Sequence, residues 1–161
     1  MEKPNFSNLL KSMAIYRPIA VICAFSLLLS FDIYKNKQEL LYSFMGYFLL
    51  IFSFLKWLDI SGFASLFRQY DIISSKFSIY PYLFPSLEFI SAWCYLNMKF
   101  LLLANVIVMT IMFFNGISIG TVLIKKRKIS CACLGTIANI PLSVVSLFES
   151  AAMFFMAAWM L

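Results

Sequence analysis

Five long apolar runs, parted by short polar stretches, organise this chain. The first extends roughly from Ile15 to Ile33 and the second from Leu40 to Leu58. The third runs from Pro81 to Met98, the fourth from Phe100 to Ile124 and the fifth from Asn139 to Leu161. Each is about as long as the 17–25 residues an α-helix needs to cross a bilayer. Prolines fall where a first turn tolerates them, at Pro18, Pro85 and Pro141. The second run is apolar on all sides, with no charge before Lys56. The stretch 59–80 differs, because Arg68, Asp71 and Lys76 interrupt its aromatic and aliphatic residues. It predicts an amphipathic helix over about residues 61–70, lying on the membrane surface. The turn at Asn97 to Lys99 is very short. The third and fourth runs are therefore antiparallel neighbours or one long kinked segment.

Composition supports the pattern. The 161 residues are 63% hydrophobic and 12% charged, against about 45–50% and about 25% in soluble domains. Such a chain needs lipid as its solvent. The net charge of +6 sits mostly at the ends of the runs, so it marks topology rather than a nucleic-acid footprint. Lys3 and Lys11 precede the first run and Arg17 sits near its start, Arg68 and Lys76 follow the second, and Lys125-Lys126-Arg127-Lys128 follows the fourth. With five crossings all three basic regions fall on one face, which the positive-inside rule makes cytoplasmic. The expectation is an all-α polytopic protein of the bacterial inner membrane, one domain over residues 1–161, with its N-terminus inside. The first run shows no small-x-small cleavage pattern and reads as an anchor that stays.

Chemistry is sparse in a chain without histidine. The candidate reactive stretch is Cys131-Ala132-Cys133-Leu134-Gly135, between the basic cluster and the last run. Positive charge upstream and a helix N-terminus downstream both favour thiolate. A Cys-x-Cys disulfide closes a small, strained ring, which suits exchange more than stapling. The same thiolates suit a soft metal ion, Cu(I) or Hg(II). Two incidental loop thiols remain the plain reading. Cys23 and Cys94 lie inside apolar runs and read as packing, or as part of a track across the bilayer. Glu149 falls near the middle of the last run, where a carboxyl marks a functional path or bonds to a neighbouring Asn105, Asn115, Ser53 or Tyr47. Glu88 is placed to pair with Lys56, and Lys56 and Asp59 are i, i+3 neighbours. This network reads first as structural. No cofactor is expected, and whether the chain is an enzyme stays open.

Three motifs in order carry a resemblance: Lys56-Trp57-Leu58-Asp59-Ile60-Ser61-Gly62-Phe63, Pro85-Ser86-Leu87-Glu88, and Cys131-Ala132-Cys133-Leu134-Gly135. They resemble the K-x-x-D-x-x-G-F, P-x-x-E and C-G-C-F-G-like motifs of the MauE/DoxX-like redox-associated membrane proteins. Ala132 and Leu134 stand where that family has glycine and phenylalanine, and the first run is an extra span. The resemblance implies a DoxX-like four-helix bundle preceded by an N-terminal transmembrane helix. It also implies thiol/disulfide handling for a partner protein, thioredoxin-like or disulfide-rich, as MauE is implicated in maturing the small subunit of methylamine dehydrogenase.

Overall fold

The computed structural model describes residues 17–33, 37–125 and 144–161. Among them every regular element is a helix. We number these α1 (Arg17–Ile33), α2 (Lys37–Leu58), α3 (Ile60–Phe67), α4 (Tyr80–Leu96), α5 (Leu101–Ile124) and α6 (Val144–Trp159). The parts of the first and last apolar runs at 15–16 and 139–143 lie outside the described residues. By length and composition two helices qualify as membrane spans, Gln38–Leu58 and Leu101–Ile124. The others are 16 or 17 residues long or shorter, at or below the low end of what crosses a bilayer.

Local chemistry explains the boundaries. Glu39 in the first turn of α2 and Lys56 in its last turn complement the helix dipole. Asp59 then leaves the helical region, with φ of −140°. Its side chain accepts from the backbone N–H of Gly62 at 2.9 Å and from Ser61 Oγ at 3.1 Å. That cap stops α2 and starts α3 in a new direction. Pro81 sits in the first turn of α4, where its missing N–H costs nothing. Pro85 lies inside the helix, where it removes one bond of the ladder.

Helices α4 and α5 are separate neighbours joined by residues 97–100. The link is a Schellman-type end. Lys99 N–H donates to Cys94 O and Met98 N–H to Tyr95 O, both at 3.1 Å. Met98 has φ of 52°, as does Phe100, positions that glycine usually fills. The hydrogen bonds and the docking of both helices hold these side chains in the left-handed region.

The largest interface is α2 against α4, followed by α5 against α6; α1 packs on α2. Gly46 sits at the α2–α4 crossing, where an added Cβ would lie 2.8 Å from Leu96 Cγ. Small residues allow such close approach between helices in lipid. At one end of the bundle Tyr95 OH donates to Asn105 Oδ1 at 2.7 Å. Asn105 Nδ2 and Tyr42 OH both donate to Met160 O at 3.0 Å, so α2, α4, α5 and the end of the chain are tied together. At the other end Arg68 and Lys125 line one surface depression.

Large apolar side chains are left outside while several polar groups are enclosed. Phe25, Phe54, Trp93, Phe148 and Phe155 are more than half exposed, while Lys56, Glu88, Asp71 and Asn105 are buried. Each large apolar side chain left in water forfeits about 1.5–3 kcal/mol. Apolar side chains on the exterior, over a mainly apolar core that also encloses paired polar groups, are an arrangement that hydrocarbon stabilises.

Candidate functional site

The buried charges define the described site. The face of α4 that points inward carries Phe84, Pro85, Glu88, Ser91, Ala92 and Tyr95 at helical spacing. Glu88 thereby meets the last turn of α2. Lys56 Nζ donates to Glu88 Oε1 at 2.5 Å and to Oε2 at 2.6 Å, with the side chains 5% and 2% exposed. The pairing expected of these two residues is present. Three rings surround the ammonium: Phe84 at 4.9 Å, Phe63 at 5.7 Å and Phe52 at 5.8 Å from Nζ to centroid. Ring faces attract a desolvated cation by up to about 2 kcal/mol. They compensate part of what Lys56 loses on leaving water.

Asp59 does not enter the cavity. It acts one step back, since its cap on α3 aims Phe63 and Phe67 under Lys56. The motif Lys56 to Phe63 therefore works as one local device: cation, cap, the glycine N–H that the cap receives, and a ring for the cation. The Pro85–Glu88 motif supplies the counter-charge.

Lys56 and Glu88 line a half-enclosed cavity of about 30 Å³. Glu149 and Ser150 of α6 and Asn115 of α5 line it as well, with phenylalanines from α2, α3 and α4. Asn115 Nδ2 donates to Ser150 Oγ at 2.9 Å. Glu149 Oε2 and Asn115 Oδ1 are buried without a hydrogen-bond partner among the described residues. The partners foreseen for Glu149 are mostly engaged elsewhere. Asn105 bonds to Tyr95 and Met160, and Ser53 Oγ donates to Leu50 O at 2.9 Å. Only Asn115 reaches the same cavity. Lys56, Glu88 and Cys23 all lie within electrostatic range of the Glu149 carboxyl.

Cys131 and Cys133, with Ala132, Leu134, Gly135 and the basic residues 126–128, lie outside the described residues. Cys23 is half-buried and Cys94 buried, both as free thiols. Among the described residues no three His, Cys, Asp or Glu side chains converge as a metal site.

One polar centre escaped sequence reasoning. Asp71 is 2% exposed. It accepts from Ser74 N–H and Ser74 Oγ at 2.7 Å, and Ser118 Oγ of α5 lies 3.0 Å from it. Ile72 N–H donates to that same Ser118 hydroxyl at 3.1 Å. The signal available was an Asp with Ser three residues on, which favours a local turn. The partner on α5 had no signal.

A family model described as Methylamine utilisation protein MauE matches residues 35–161. The match begins just before α2, so it leaves out α1. No curated protein and no solved structure matches the chain.

Proposed function

Because the chain belongs to the MauE family, we propose that it is a membrane protein of methylamine utilisation that handles thiols during redox maturation of a partner protein. Cys131 and Cys133 are its dithiol. The observation that carries this reading is the pair of thiols, one residue apart, inside the matched span. One thiolate attacks a disulfide of the partner and forms a mixed disulfide, releasing one partner thiolate. The second cysteine resolves the adduct, so two electrons pass to the partner as the Cys131–Cys133 disulfide forms. The reverse sequence oxidises a partner dithiol by the same steps.

In this reading the chain crosses the cell membrane five times with its N-terminus inside. Arg68 and Lys125 bordering one depression support a single basic face. Helices α2, α4, α5 and α6, which share the inner cavity, form the DoxX-like core, and α1 is the added span. Anionic lipid heads meet the basic face, at about 1 kcal/mol per residue.

The test is trapping in cells. Cys133→Ser is expected to accumulate a reductant-sensitive adduct with a partner protein, and Cys131→Ser/Cys133→Ser none. A pair that stays fully reduced and forms no adduct in either single variant removes the exchange reading. Stoichiometric Cu(I) or Hg(II) binding lost in Cys131→Ser would assign the thiols to soft-metal carriage instead.

A further inference from the structure

The cavity holds two acidic side chains and one basic one. Lys56 is engaged by both oxygens of Glu88. Glu149 lines the same space, and its Oε2 has no partner among the described residues. Asn115 is 9% exposed, and its Oδ1 is a second buried acceptor without a donor among the described residues. The groups that face Glu149 from the packed elements are Cys23 of α1, Lys56 of α2 and Glu88 of α4, with Tyr70 on the cavity wall. Among the described residues Lys56 is the one cation in this set. With both carboxylates ionised the cluster would carry one uncompensated negative charge, a costly state in hydrocarbon.

A single compact positive charge resolves the imbalance and gives both orphaned oxygens a partner. Size narrows its identity. A water-sized body needs about 10–15 Å³ on the measure that gives this cavity about 30 Å³. That is room for about two or three water-sized bodies, so bulky organic ammonium ions are too large. We propose that the Asn115–Glu149 end of the cavity is a binding site for one exchangeable monovalent cation, a proton or a sodium ion. As a proton it sits on the Glu149 carboxyl and is donated to Asn115 Oδ1, directly or through a water. As sodium it is held by Glu149 Oε2 and Asn115 Oδ1. Neither form involves the cysteines, so this site stands or falls apart from the thiol reading.

The experiment uses the full chain in lipid nanodiscs, with infrared spectroscopy and thermal unfolding as readouts. If the occupant is a proton, the wild type at neutral pH shows a protonated-carboxyl stretch that shifts in D₂O. That band is lost in Glu149→Gln and displaced in Asn115→Leu. If it is sodium, the melting temperature rises in sodium chloride over choline chloride at equal ionic strength. That rise is lost in Glu149→Gln and in Asn115→Leu. A wild-type protein with neither a protonated-carboxyl band nor a sodium-dependent rise overturns the proposal. So does a band, or a rise, that Glu149→Gln leaves unchanged. The wild-type readouts keep the test decisive even where a variant does not fold.

Discussion

Lys56 and Glu88 are each other's counter-charge in a buried setting. Removing one member of such a pair leaves an uncompensated charge, at about 3–5 kcal/mol, whereas replacing both with apolar residues of similar size is often close to neutral. Lys56→Met is therefore expected to destabilise the protein strongly, and Lys56→Met/Glu88→Leu to recover most of the loss in a reversible unfolding titration in detergent. A double variant as unstable as the single one would mean that the ring cage, rather than the opposite charge, holds the site. This pair was legible in the sequence because both residues interrupt apolar runs at predictable depths. Asp71 with Ser118, and Tyr95 with Asn105, were not. Each joins residues whose meeting depends on helix rotation, and an apolar run that is hydrophobic all round carries no rotational signal.

At the scale of elements, the run boundaries were readable from hydropathy and proline, while caps decided the details. The short amphipathic helix was expected over about residues 61–70, and α3 covers Ile60–Phe67. The earlier start follows from the Asp59 cap. The earlier end leaves room for the turns that bury Asp71. Asp59→Ala is expected to cost about 0.5–2 kcal/mol, the usual worth of such a cap. It should also loosen Phe63 beneath Lys56, read as faster hydrogen exchange over residues 60–67. Exchange unchanged there would detach the cap from the ion pair. The candidate stretch at Cys131 rests on chemistry alone, because charge and thiols are readable from sequence while their spatial setting lies outside the described residues.

For the whole molecule the decisive observation is the number of large apolar side chains left on the exterior. Phe113, near the middle of α5, is 50% exposed. In hydrocarbon, an aspartate at mid-helix opposes insertion by about 2.5–3.5 kcal/mol. Phe113→Asp is expected to lower the membrane-inserted fraction several-fold in a protease-protection assay, with Phe113→Leu unaffected. Full insertion of the aspartate variant would place that face of α5 against protein or water. The all-α architecture was the easiest feature to read, since lipid leaves helices as the simplest way to satisfy every backbone group. Which helices touch was the hardest, because apolar exteriors look alike on every side.

The ion pair also sets an order of assembly. Lys56 and Glu88 are 32 residues apart in the chain, so the lysine leaves the ribosome first and enters the translocation machinery with no counter-ion. In a bilayer, an amine without its carboxylate would reach for the lipid head groups until α4 packs. Docking of α4 then draws the amine inward beneath the phenylalanines. The bond that ties these helices in the finished protein thus also makes the burial of one conditional on the other.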